Sequence, residues 1–299
     1  MFKKLLCGAA LGAMLFTGAP MADAAVGYLA PAGTFSEEAA RIYFGAEEEY
    51  IAVPSVGEAI DLVENDKCEF AVVPIENTKG YLAGKGKDIY VDLVVKHPNL
   101  SIIGEVNLPI RQTLMGMPGA KLEDLKLIYS HPQGIKQGKA WLDEHCPNAK
   151  CEEVASTAGG AKKVSELKDP TVAAIAGPAA APLYGLEVLG TNIQIIKTNV
   201  TRFYVVTKKA PVIAKNDRAV IVAKGNAAEL PAVLQAVTKA GGKLISVHDR
   251  TTGKDLGDYG FVVEVANANP AALAKLPAQF AKKMEISVRG TFNEITPQD

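Results

Sequence analysis

The chain has 299 residues, 48% hydrophobic and 22% charged, with 32 Lys and Arg against 33 Asp and Glu and a formal net charge of -1. That balance excludes recognition of nucleic acid or anionic lipid through bulk charge, and 6% aromatics with one tryptophan, Trp141, make no stacking platform for bases. The length suffices for two or three hydrophobic cores rather than one.

The first 24 residues stand apart from the rest. Lys3 and Lys4 make a short positive start, Leu5 to Phe16 is an apolar run, and Ala22-Asp23-Ala24 is a small-x-small cleavage pattern. The run is too short for a membrane span, so it predicts a secretory signal peptide cleaved near Ala24 and a periplasmic mature protein. No later segment is apolar for long enough to span, so no membrane association is expected after processing. Cys68, Cys146 and Cys151 then remain. In an oxidising compartment Cys146 and Cys151 could close a small loop, whereas Cys68 reads as a buried small hydrophobe. The spacing lacks the partners a zinc site needs.

Strands and helices alternate from there. Val26-Gly-Tyr-Leu reads as a strand and Phe35 to Phe44 as a helix opened by Thr34. Strands follow at Phe70 to Pro74, Ser101 to Val106 and Leu127 to Ser130, then helices at Gly134 to Glu144 and Gly159 to Leu167. Ala173 to Ala176 and Phe203 to Thr207 are further strands. This alternation argues for an α/β fold with mostly parallel sheets, arranged as two lobes about a cleft. A linker is expected over 209–217, and beyond it the order changes to βαββαβ, which is ferredoxin-like. There Ala219 to Ala223 is a strand, Ala227 to Ala240 a helix, Lys243 to His248 and Tyr259 to Val265 a hairpin, Pro270 to Lys283 a helix and Ile286 to Ile295 a last strand.

Polar clusters sit where strands end, the place where open α/β sheets bind ligands. Gly33-Thr34-Phe35-Ser36 offers hydroxyls and free backbone N–H groups at a helix start, suited to a carboxylate, though an ordinary N-cap reads the same way. Pro74-Ile75-Glu76-Asn77 and Ser130-His131-Pro132-Gln133 end two other strands. Ser156-Thr157-Ala158 precedes a helix, and Thr201-Arg202-Phe203 opens a strand.

In order and spacing these clusters resemble the signature of the prephenate dehydratases. Ala173-Ala174-Ile175, Tyr184-Gly185-Leu186 and Leu108-Pro109-Ile110-Arg111 add to the match, which covers about residues 26–207. The resemblance implies a two-lobed, periplasmic-binding-protein-like dehydratase domain over 25–208. It also implies an ACT-type domain of ferredoxin-like fold over 218–299. The family's reaction removes carbon dioxide and water from prephenate to give phenylpyruvate, with no metal or organic cofactor.

Following the resemblance, Thr201 would hydrogen-bond the departing hydroxyl, and Asn77 and Gln133 would orient the substrate. Thr34, Ser36, Ser156 and Thr157 would bind its carboxylates. Leaving-group assistance rests either on hydrogen bonding alone or on Glu76, if burial raises its pKa. Arg202 reads equally as a carboxylate ligand and as half of a structural ion pair, and Phe203 as packing against the substrate ring or the core. The expected partners are a small carboxylate substrate and a second copy of the chain.

Two segments depart from the family. The stretch over 78–91, rich in Gly and Lys, replaces the expected turn and helix beside the cleft. Ala227-Ala228-Glu229 and His248-Asp249-Arg250-Thr251 replace the motifs through which family ACT domains bind phenylalanine, leaving only Arg250 in place. Two further readings follow: a periplasmic solute-binding protein for a small carboxylate or amino acid on the same bilobal fold, and an amino-acid sensor working through its tail.

Overall fold

The computed structural model describes residues 25–79 and 95–297. The expected signal peptide lies outside them, as do residues 80–91 of the departing segment. The first sheet has the order β15-β4-β10-β3-β1-β2. Its strands are β1 Val26–Leu29, β2 Tyr50–Val53, β3 Phe70–Asn77, β4 Ser101–Pro109, β10 Val200–Thr207 and β15 Glu294–Ile295. The second sheet, β7-β6-β8-β5-β9, comprises β5 Thr113–Gly116, β6 Leu127–Ser130, β7 Lys150–Glu153, β8 Val172–Ala176 and β9 Glu187–Gly190. The chain crosses between the sheets at 110–112 and returns over 191–199, so two connections join two lobes. Backbone bonds tie the crossings together: Ile110 N donates to Asn199 O at 2.8 Å and Ile193 N to Gln112 O at 3.0 Å.

The third sheet, β12-β13-β11-β14, is antiparallel throughout. Its strands are β11 Arg218–Asn226, β12 Lys243–Thr251, β13 Asp258–Ala266 and β14 Met284–Phe292, with the helix Leu230–Lys239 after β11. This is the ferredoxin-like order that the sequence predicts. The helix expected over 270–283 is instead two short ones, Pro270–Leu273 and Leu276–Phe280. Pro277 has no N–H to give the carbonyl of Leu273, which ends the first. The strand expected over 286–295 also divides. Glu294–Ile295 leaves the third sheet and pairs in parallel with β4 of the first.

Side-chain alternation gives each sheet two uses. On β11 and β13, Val220, Val222 and Val262 pack with Phe292 against Val73, Ile75, Ile102, Tyr204 and Val206 of the first sheet. Ile221, Val263 and Val265 point the other way, toward Val233, Val237, Leu273 and Phe280 of the helices. The third sheet thus lies face to face on the first. At the crossing of β14 and β4, Gly290 has φ 142, and a Cβ there would stand 2.1 Å from Ile102 O. Only glycine permits so close a passage of two backbones. The first sheet's other face is covered by the helix Phe35–Phe44, whose Ala39 and Ala40 meet Val72, Val106, Leu108, Phe203 and Val205. Thr34 caps that helix, and Gly45, with φ 94, ends it.

Candidate active site

β1 and β3 are parallel and end on the same edge of the first sheet, where the antiparallel β10 begins. Asn77, the last residue of β3, therefore stands opposite Thr201 in the ladder. Asn77 Nδ2 donates to Thr201 Oγ1 at 2.8 Å, and Asn77 Oδ1 accepts from Lys79 N at 2.8 Å. A backbone N–H can only donate, so the Lys79 bond determines which end of the amide faces Thr201. Thr201 is 8% exposed. Thr78 ties off the edge, donating from its N to Val200 O at 3.0 Å and accepting from Val200 N at 3.1 Å.

β1 leads into the turn before Phe35–Phe44. Thr34 Oγ1 donates to Leu29 O at 3.0 Å and accepts from Glu37 N at 3.4 Å. The Glu37 carboxylate takes Gly33 N at 2.6 Å and Arg41 Nε at 2.8 Å. One donor of this helix start is thus occupied by the chain's own carboxylate, and Ser36 is buried in its first turn. Among the nearby groups, burial and the Glu37 charge push the Tyr28 hydroxyl up to about 12, with Arg41 opposing. The turn reaches across to the second lobe. Tyr184 Oη donates to Ala32 O at 2.7 Å, and the Phe35 ring lies over Gly177, where a Cβ would come within 2.9 Å of it.

In the second lobe β6, β7 and β8 are parallel and end together. His131 caps the helix Pro132–His145, accepting from Gln133 N at 3.2 Å, and Ser156 caps Thr157–Leu167, accepting from Gly159 N at 3.0 Å. A Cβ on Gly134 would stand 2.3 Å from Ser130 Oγ and 3.2 Å from Thr157 Cγ2, so the two helix starts touch. Gln133, Ser156 and Thr157 share this edge, where the aligned peptide dipoles of two helix starts favour an anion. Thr34, Asn77 and Thr201 border the facing edge of the first lobe. Among the described residues no group of three or more His, Cys, Asp and Glu is placed to hold a metal.

Three of the expected site residues lie elsewhere. Glu76 is exposed and Arg202 Nη1 bonds its carboxylate at 2.7 Å, on the face of β3 and β10 opposite Asn77 and Thr201. Alternation along a strand sends neighbouring side chains to opposite faces, so Glu76 is not the buried acid of the cleft. Arg202 is likewise an ion-pair partner, gripped by Glu105 and Glu264, rather than a substrate ligand. Burial alone would lower its pKa, but the Glu264 charge, Tyr204 and Glu105 raise it above the ordinary value. Phe203, 1% exposed, belongs to the core beneath the helix Phe35–Phe44.

Glu38 and Arg111 were not among the expected residues. Glu38 Oε2 is buried without a hydrogen-bond partner among the described residues, and burial pushes its carboxyl up, opposed by the charge of Arg111. Arg111 ends the Leu-Pro-Ile-Arg match at the crossing between lobes, which was the available signal. Glu38, in an amphipathic helix, gave none.

The prephenate dehydratase family pattern matches residues 26–211. The prephenate dehydratase of Lactococcus lactis subsp. lactis is 32% identical over 249 residues, covering 81% of this chain and 86% of that protein. The bifunctional chorismate mutase/prephenate dehydratase of Neisseria gonorrhoeae is 30% identical, covering 80% of this chain, which spans 66% of the bifunctional protein's length. Among solved structures, prephenate dehydratase from Arthrobacter aurescens in complex with L-Phe superposes with a TM-score of 0.76 at 29% identity, covering 90% of each chain. Sequence pattern, relatives and fold agree over both lobes of the cleft that holds Asn77 and Thr201, and the chain belongs to the prephenate dehydratase family.

Proposed function

We propose that the protein is a prephenate dehydratase, a lyase that converts prephenate to phenylpyruvate with loss of carbon dioxide and water. The ring carboxylate leaves as CO₂ while its bonding electrons enter the ring and the C4 hydroxyl departs, taking up one proton to become water. The observation that carries this reading is the Asn77–Thr201 bond. The Asn77 amide fills an acceptor position on Thr201 Oγ1, which leaves the hydroxyl proton to be donated elsewhere. Aimed at the leaving hydroxyl, that proton meets growing negative charge, and the amide stabilises the threonine oxygen as it gives the proton up. A free threonine is too weak an acid for this, so the Asn77 amide matters. The two touching helix starts at Gln133, Ser156 and Thr157, with the Thr34 turn opposite, suit the substrate's two carboxylates.

Mixing the purified protein with prephenate and following phenylpyruvate absorbance tests the activity. Saturable binding of prephenate with no phenylpyruvate formed would leave a solute-binding protein instead.

Three further points belong to the same reading. The charged start, apolar run and Ala22-Asp23-Ala24 support export, with a mature chain beginning near Ala25. N-terminal sequencing that finds Met1 on the recovered protein would reject this. The ferredoxin-like unit is of the ACT type. A dimer is supported by β12, the edge of its sheet, which leaves Leu244 and Ile245 exposed; light scattering at the mass of one chain would count against it.

A further inference from the structure

A charge cluster on the face of β10 turned away from the cleft, buried at Glu105 and Glu264 and open at Glu76, ties that strand to the ferredoxin-like unit. Arg202 Nη1 meets Glu76 of β3 at 2.7 Å, and Nη2 meets Glu105 of β4 at 2.9 Å and Glu264 of β13 at 3.2 Å. Glu264, 2% exposed, also accepts from Ser246 Oγ of β12 at 2.9 Å and from the Tyr204 hydroxyl. One carboxylate of the third sheet therefore holds two residues of β10 that flank Phe203, and the first is covalently next to Thr201.

Apolar neighbours surround the cluster: Val220, Val222, Val262 and Phe292 pack in the same interface. Hydrophobic side chains of similar volume would stabilise such a place as well as an ion cluster or better. A second observation concerns the strand itself. Arg202 pairs with Glu76 but Phe203 pairs with Pro74, so the ladder to β3 is interrupted by an extra residue, Ile75, one step from Thr201. A bulge weakens pairing and increases local twist. The ladder to β4 is in register from Val200 to Val205, so the irregularity beside Thr201 lies on the β3 side alone, and Glu264 grips β10 next to it from outside the sheet.

We infer that Glu264 is a positioning residue for the dehydration: by holding Arg202 and Tyr204 from the ferredoxin-like unit, it fixes the start of β10 and so the aim of the Thr201 hydroxyl. This rests on the role given to Thr201 above. A displacement of about 1 Å at a reacting group can cost on the order of 10²-fold in rate. A loss of aim appears in kcat rather than in substrate binding, because the Thr201 bond strengthens as the hydroxyl leaves.

The test uses the full chain, with Glu264→Gln, Tyr204→Phe and Thr201→Ala assayed side by side on prephenate. Glu264→Gln keeps the volume and removes the charge. It should lower kcat roughly 10-fold or more while KM stays within about 2-fold. Tyr204→Phe, which removes the hydroxyl's bond to Glu264 and keeps the ring, should give the same split on a smaller scale, and it decides the matter if Glu264→Gln does not fold. A folded Glu264→Gln protein, or Tyr204→Phe in its place, with parental kcat beside a slow Thr201→Ala overturns the inference. So does a loss that falls on KM. Parental turnover in Thr201→Ala overturns the reading of Thr201 itself, whatever Glu264→Gln does.

Discussion

Asn77 and Thr201, 124 positions apart in sequence, are joined side chain to side chain at 2.8 Å because each lies at the end of a strand that pairs with the other. The bond is directional, with the amide donating and the hydroxyl free to donate onward. Thr201→Ala should reduce turnover of prephenate by roughly 10²-fold, the usual scale for a lost transition-state partner. Asn77→Ala should cost about 10-fold, and the double variant little more than Thr201→Ala alone, because the two act as one unit. Steady-state kinetics of the three proteins checks this. Fully additive losses would mean that the residues act separately.

Glu38 gives stability a pH dependence of known sign. Burial raises its carboxyl above the ordinary value. The folded protein therefore keeps a proton that the unfolded chain has already released. The stabilising contribution is complete below the unfolded pKa and is lost as pH rises through the folded one. Glu38→Gln, which stays neutral, should melt higher than the parent near neutral pH, by a few degrees, and at nearly the same temperature in acid. Melting curves across that window are the measurement, and a difference that does not change with pH would contradict the assignment.

Gly290 is the contact at which the third sheet meets the first. Gly290→Ala would place a methyl group 2.1 Å from the Ile102 carbonyl oxygen, at a φ of 142 that alanine avoids. The loss should be about 3 kcal/mol or more, at the severe end for one substitution. Gly119→Ala meets nothing within 4 Å, although its φ is also positive, at 79. Its cost should be that of backbone strain alone, about 1 kcal/mol. Urea unfolding of both variants separates the clash from the strain.

Phenylalanine should change neither activity nor melting temperature. At the helix start where an amino-acid ligand would need backbone donors, Ala227 N is bonded to Gly257 O at 2.9 Å and Ala228 N to Asn226 Oδ1 at 2.9 Å. Glu229 is turned to Lys283 at 2.9 Å. A ligand present at 100 times its dissociation constant would add about 2.7 kcal/mol. An upward melting shift with phenylalanine and none with alanine would show that these donors rearrange.

The parts of the fold that the sequence displayed are those with strong local grammar. Strands such as Ala173 to Ala176 are wholly apolar, and the helix starts at Thr34 and Ser156 carry their capping hydroxyls. β2, β5, β7 and β9 were not legible, although each has four residues, as the legible β1 and β6 do; β7, Lys-Cys-Glu-Glu, is exposed along its length and so shows no apolar run. At the site, Asn77 and Thr201 were legible through motif and order. Glu76, Arg202 and Phe203 belong to the same motifs but not to the cleft, because a motif is contiguous while a face is not. The grip of Glu264 on Arg202 joins residues 62 positions apart through a sheet packing that leaves no local mark.

Ile75 has a consequence that is arithmetic. Side chains on a strand are assigned to a face by odd or even position, and one extra residue inverts the parity of everything after it. Val73 and Ile75 lie toward the third sheet, and because Ile75 is unpaired, Glu76 follows it to that side and Asn77 returns to the cleft. Deleting Ile75 would leave Glu76 against Arg202 and Asn77 against Thr201 in an unbroken ladder, and would take away only the bulge. Pro-Ile-Glu-Asn thus carries a bend as well as a set of ligands: the isoleucine sets the local twist under Asn77 and Thr201, while the pairing of the two does not depend on it.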